Sequence, residues 1–201
     1  PISTANFETM GIKSLQDTII SKSLSGKKLS RQIDNQRFGF TASIIVGKRS
    51  DIYGDLMAFI IKQRSSKENF TIIPPEVEDA RGNETGTLAV NGSHTAGDTT
   101  IAIDGFAGDG AGRLKAGDFI KFNGHTKVYM VVADVTSSSN SATVTIEPPL
   151  VSALADDETV SYDNIPFTVH LTNDIQEFGV VGADNSGNLL YKFEIDVEEA
   201  I

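Results

Sequence analysis

The chain holds 201 residues with no cysteine and no tryptophan, and 17 Lys/Arg against 27 Asp/Glu leave a net charge of −10. The missing thiols exclude disulfides, thiolate metal sites, iron–sulfur ligation and a cysteine nucleophile, and the negative charge argues against binding nucleic acid by phosphate neutralisation. A soluble protein is expected, because no window reaches about 20 apolar residues and Pro1-Ile2-Ser3-Thr4 lacks the basic-then-apolar layout of a secretory signal. Charge is unevenly spread. Residues 1–67 carry 11 Lys/Arg against 5 Asp/Glu, a net of +6, and residues 68–201 carry 6 against 22, a net of −16. Such a polar chain is suited to docking head to tail with copies of itself or with neighbours.

Apolar positions Leu15, Ile19, Ile20, Leu24, Leu29 and Ile33 surround Ser25-Gly26, which predicts a hairpin with strands at 17–24 and 28–34. Asp34-Asn35 reads as a turn. Phe38, Phe40, Ala42 and Ile44 then recur at period two among β-branched neighbours, which predicts a strand over 37–46. The period changes at 50–64, where Ile52, Leu56, Phe59 and Ile60 make a helical stripe. Ser50 is the expected N-cap, Asp51 sits in the first turn, and Lys62 and Arg64 in the last. Residues 69–73 predict a strand stopped by Pro74-Pro75. The acidic, turn-rich stretch 76–86 reads as a linker.

From 87 to 163 short strands alternate with glycine and aspartate turns. They are expected at 87–90, 99–103, 119–122, 127–132, 142–146 and 159–162, the pattern of a small sandwich or barrel. Residues 104–112 are too glycine-rich for a regular element, and Ser137-Ser138-Ser139-Asn140 reads as an exposed hairpin tip. After Pro166, strands are predicted at 167–171, 176–181 and 190–197, with a turn at 183–188. The expected organisation is an outer domain of 1–75 plus 164–201, interrupted by a β-domain at 87–163.

No reactive constellation emerges, and neither a cofactor nor a metal is expected. His94, His125 and His170 form no zinc-spaced pair. Asp104, Asp109 and Asp118 lack the order of an EF-hand loop and read as solvated turn residues. Gly105, Gly108, Gly110 and Gly112 lead into a strand, whereas a dinucleotide loop opens a helix. No G-x-S-x-G elbow is present, and the acidic runs at 156–158 and 198–199 read as solvated. A non-enzymatic protein is expected.

Several stretches resemble the distal-tail and baseplate-ring proteins of tailed bacteriophages. They are the basic hairpin leading into Arg37-Phe38-Gly39-Phe40-Thr41-Ala42 and its helix, then Phe70-Thr71-Ile72-Ile73-Pro74-Pro75. Arg113-Leu114-Lys115-Ala116-Gly117-Asp118-Phe119 with the return Val128-Tyr129-Met130-Val131 follows, then Ile146-Glu147-Pro148-Pro149-Leu150 and the strands at 167–171 and 190–197. The resemblance implies a mainly β protein: a β-sandwich with one flanking α-helix, interrupted by an inserted small β-barrel, OB-like or galectin-like.

It also implies a structural protein of the virion tail, forming a ring, expected to be a hexamer, that joins the tail tube to the baseplate or receptor-binding apparatus. The partners would be further copies of itself and the neighbouring tube and hub proteins, with no membrane insertion and no sequence-specific nucleic-acid binding. An acidic lumen would let DNA pass without adhering. Two alternatives stay open: a tail-tube or tube-initiator protein, and a carbohydrate-binding module used in adsorption, which the missing tryptophan disfavours. A ring built from β-edges needs contacts that close by rotation. The expected interface residues are Lys22, Lys27, Lys28 and Arg31 of the hairpin and Arg37 beyond it, facing an acidic neighbour.

Overall fold

The computed structural model describes residues 7–33 and 36–201, so the turn expected at Asp34-Asn35 and the reading of residues 1–4 lie outside it. The protein is mainly β, with one α-helix among the described residues and a closed barrel, as expected. It divides into two compact units, Pro1–Ile72 with Thr168–Ile201, and Ile73–Phe167.

In chain order the first unit contains β1 (Phe7–Leu15), β2 (Thr18–Lys22), β3 (Lys28–Gln32), β4 (Arg37–Lys48), α1 (Gly54–Lys62) and β5 (Phe70–Ile72). After the second unit come β14 (Phe167–Leu171), β15 (Gly179–Ala183) and β16 (Leu189–Glu199). One six-stranded sheet runs β1-β4-β16-β14-β5, with β15 also paired to β16, while β2 and β3 form a separate two-stranded ribbon. Antiparallel register places Phe193 opposite Ile44, Ile195 opposite Ala42 and Val197 opposite Phe40. The two period-two patterns therefore stack into one apolar face. All six side chains are buried, at roughly 1.5–3 kcal/mol for each large one. Tyr53, Leu56 and Ile60 from the helical segment are buried with them. The Tyr53 hydroxyl donates to the Ile45 carbonyl at 3.0 Å, and Phe59 meets Phe70 edge-on at 5.3 Å.

Two local expectations are corrected here. The helix begins at Gly54, not after Ser50, because residues Arg49–Tyr53 form a wider π turn closed by Gly54 N–H on the Arg49 carbonyl. A Cβ at Gly54 would lie 2.7 Å from that oxygen, so the wide turn requires glycine. Ser50 caps nothing and its hydroxyl bonds Asp51. Strand β1, which no alternation announced, pairs along β4 with a bulge between Phe7 and Thr9. Likewise β15 starts at Gly179, three residues later than the pattern implied, because Phe178 is engaged in stacking on Phe193 at 4.5 Å.

The second unit holds β6 (Leu88–Val90), β7 (Thr100–Asp104), β8 (Gly110–Ala111), β9 (Phe119–Phe122), β10 (Val128–Val131), β11 (Thr136–Ser137), β12 (Ser141–Glu147) and β13 (Thr159–Ser161). Six of these close a barrel in the order β10-β12-β7-β6-β13-β9, and β8 pairs with β11 apart from it. The six barrel strands are the six that the sequence predicts. Alternation fills the interior with Leu88, Val90, Ile101, Ile103, Ile120, Phe122, Tyr129, Val131, Val144, Ile146 and Val160, so the barrel is a packed core and encloses no channel.

The stretch 104–112 is more ordered than its glycines suggest. Phe106 is buried in the barrel core, and Gly110-Ala111 pairs with Thr136-Ser137. Residues 76–86, expected as a linker, are fastened to the barrel. Asp118, 3 % exposed, accepts the N–H groups of Arg81 (2.8 Å), Gly82 (3.2 Å) and Lys115 (2.8 Å). Buried Glu84 accepts those of Thr85, Gly86 and Ala107 at 2.9, 2.6 and 2.8 Å. The backbone passes so close that a Cβ at Gly82 would stand 2.0 Å from the Arg113 carbonyl.

Candidate assembly surface

The ribbon turns through residues 23–27. Ser23 N–H donates to the Lys27 carbonyl at 3.0 Å and Gly26 N–H to the Ser23 carbonyl at 2.9 Å. Gly26 takes φ = +81°, where glycine is favoured. Register sets Lys22 opposite Lys28, Ser21 opposite Leu29, Ile20 opposite Ser30 and Ile19 opposite Arg31. All ten strand residues are exposed. Residues 18–32 contain four cations and no carboxylate, and the Lys22–Lys28 pair is a like-charge opposition that disfavours the ribbon in isolation. Ile19, Ile20, Leu24, Leu29 and Ile33 are exposed as well.

The structure thus gathers Lys22, Lys27, Lys28 and Arg31 on one projecting element. Arg37 is not part of it. It opens β4, opposite Leu15, and its guanidinium is committed to Glu198 at 2.5 Å. The sequence reading found the ribbon's cations but not its exposed aliphatic residues, because an apolar alternation is normally the signature of a buried face. It placed a strand at 176–181 but did not single out the exposed, uncharged run Gly179-Val180-Val181-Gly182-Ala183 of β15 as a candidate surface.

The other singled-out residues take structural positions. Among the described residues, no group of three His, Cys, Asp or Glu side chains could hold a metal ion. His125 is buried, with Nδ1 3.0 Å from the Tyr129 hydroxyl and Nε2 3.2 Å from Ser152 Oγ. Tyr129 in turn receives the Val151 N–H at 3.2 Å. The ring therefore fastens the loop at 151–153 to the turn after β9. His94 Nε2 accepts the Ala102 N–H at 3.2 Å.

Asp118, expected to be solvated, is the buried staple described above. Asp109 accepts the Asn140 N–H at 2.9 Å, and backbone hydrogen bonds from Asn140 and Ser139 hold its carboxyl below the ordinary value. Asp184 closes the turn between β15 and β16. The Asn188 side chain, the Lys48 ammonium and the N–H groups of Asn188 and Ser186 hold its carboxyl well below the usual carboxylate range. A cleft of about 590 Å³ lies beside the end of α1, lined by Phe59, Lys62, Arg64 and Phe70 among others. No described helix is long and apolar enough to cross a membrane.

No curated protein matches the chain. Residues 77–165 match the family model described as distal tail protein pb9, B domain. The match coincides with the barrel and with the acidic segment stapled to it, and supports a structural role in a phage tail. The segment 77–165 is thus similar to the B domain of a phage distal tail protein, which supports the resemblance to that family.

Proposed function

We propose that the chain is a non-enzymatic subunit of a homohexameric ring at the tip of a phage tail, joining the tail tube to the baseplate or receptor-binding apparatus. The match of 77–165 to a distal-tail B domain carries the reading. In it, residues 1–75 with 164–201 are the ring-forming domain, tail-tube-like in role, and 87–163 is an inserted barrel displayed by the ring. The partners are further copies of this chain and the tube and hub proteins above and below.

The ribbon supports the ring. Isolated two-stranded hairpins are marginal in water, and this one exposes five aliphatic side chains and four cations with no core of its own. Such an element is stable when a neighbour covers it. Native mass measurement of the purified chain tests the proposal. Six copies in a closed ring is the expected result, and a monomer at micromolar concentration overturns it. Long tubes by negative-stain microscopy would assign the chain to the tail tube.

A further inference from the structure

An Asn-Gly peptide is prone to spontaneous loss of the asparagine amide, because glycine has no Cβ to obstruct its own nitrogen. That nitrogen attacks the asparagine Cγ and forms a cyclic succinimide. The Cγ–Nδ2 bond breaks, and Nδ2 leaves as ammonia with the glycine proton. Water then opens the ring at either carbonyl, giving aspartate or isoaspartate. The chain contains two such pairs, Asn91-Gly92 and Asn123-Gly124.

Topology brings both to one end of the barrel. Asn91 follows β6 and Asn123 follows β9, and β13 lies between these strands, antiparallel to each. Both pairs therefore flank the residues that lead into β13, the acidic run 156–158. The Val90 N–H donates to the Glu158 carbonyl and the Asp157 N–H to the Val90 carbonyl, each at 2.9 Å. On the other side the Asn123 N–H donates to the Thr159 carbonyl at 3.0 Å. The run, expected to be solvated, engages both glycines. Gly92 N–H donates to Asp156 Oδ1 and Gly124 N–H to Glu158 Oε1, each at 2.6 Å. Asn91 and Asn123 are exposed, so water reaches both.

Neither glycine is readily exchanged. Gly92 takes φ = +82°, where glycine is favoured, and a Cβ at Gly124 would stand 2.7 Å from the same Glu158 oxygen. The fold thus keeps two reactive peptides and sets a carboxylate on the attacking nitrogen of each. Such a nitrogen must break a charge-assisted hydrogen bond before it can turn toward Cγ. The negative charge it develops on losing its proton is also disfavoured by the carboxylate beside it.

We propose that Asn91 and Asn123 are deamidation sites held closed by separate carboxylates, Asp156 at Gly92 and Glu158 at Gly124. Conversion at either site adds a carboxylate beside the three of the run, and like charges repel. The inference concerns the barrel alone and does not depend on the ring.

Peptide mapping of the full chain, aged at mildly alkaline pH, follows aspartate and isoaspartate at each site. Asp156→Ala should speed conversion at Asn91 roughly three- to tenfold and leave Asn123 at the wild-type rate, and Glu158→Ala should do the reverse. Thermal melting checks that each variant keeps the fold. Asp157→Asn leaves both bonds in place and should change neither rate. An unchanged or slower rate at a variant's own site overturns the proposal. So does acceleration of both sites by one variant, or by Asp157→Asn, which would make the total charge of the run the cause. A second measurement needs no variant: the folded wild-type chain should convert at both sites at least about threefold more slowly than the same chain in denaturant. Equal rates overturn the proposal.

Discussion

Replacing Asp118 by alanine should unfasten the segment 81–86 from the barrel. The carboxylate accepts three backbone N–H groups at 2.8, 3.2 and 2.8 Å. A hydrogen bond to a charged acceptor contributes about 1.5–3 kcal/mol, and a buried donor left without a partner adds its own penalty. Arg81 is exposed, so its N–H regains water, and the 3.2 Å contact from Gly82 is the longest of the three. Counting these two at about half strength gives a loss of roughly 3–6 kcal/mol. The barrel unit spans residues 73–167, and in a domain of that size each kcal/mol moves the melting temperature by about 4–8 °C. Calorimetry of the full chain should therefore show a barrel transition lowered by at least about 12 °C.

Amide exchange at residues 81–86 should accelerate in the same variant. Asp118→Asn keeps one acceptor oxygen but turns an amide NH₂ toward a backbone donor, and should lose about half as much. A shift under about 5 °C, with exchange at 81–86 unchanged, would refute the assignment of Asp118 as the fastener.

Phe106→Ala should cost the barrel about 3–5 kcal/mol, read from denaturant unfolding, because the ring is a core side chain in spite of its glycine-rich loop. Reversing charge at Lys27, Lys28 and Arg31 together should weaken ring assembly by roughly tenfold at low salt and by less at high salt, measured by native mass titration, since exposed pairs contribute about 0.2–1 kcal/mol each and are screened. The Asp184 carboxyl is held below its unfolded value. The stability it contributes is therefore present above about pH 4 and is lost as pH falls through the depressed value. Amide signals of Ser186 and Asn188 should stay protected at pH 4 and lose protection on further acidification, while Asp184→Asn should loosen the turn at neutral pH.

Where side-chain period and burial coincide, the fold is legible in the sequence. The six barrel strands and the central strands β4 and β16 follow directly from alternating β-branched and aromatic residues bounded by glycine and aspartate. Legibility fails where chemistry looks the same in water and in the interior. Asp118 reads as a solvated turn residue and Glu84 as part of a linker, yet each gathers three backbone N–H groups in the barrel unit. No spacing rule distinguishes such a carboxylate from an exposed one. The helix start was misplaced because Ser50-Asp51 has the residues of a cap, while the π turn that displaces it depends on Gly54. The ribbon's cations were readable as a surface, but its aliphatic exposure was not, because apolar alternation alone does not say whether the matching surface is in the same molecule. Arg37 illustrates the converse. It was expected to share the hairpin's interface, and it lies on β4 with its guanidinium 2.5 Å from Glu198.

The closure of the six-stranded barrel carries a consequence for how a tail component of this kind could diversify. A cylinder whose every strand already has two hydrogen-bonding neighbours has no main-chain vacancy to lend, so whatever meets it must be recognised by loop side chains. Those loops can change in length and character without altering the hydrogen-bonded wall behind them. The open sheet of the other unit has no such freedom at its borders, where a single substitution alters an edge that main-chain hydrogen bonds can still extend.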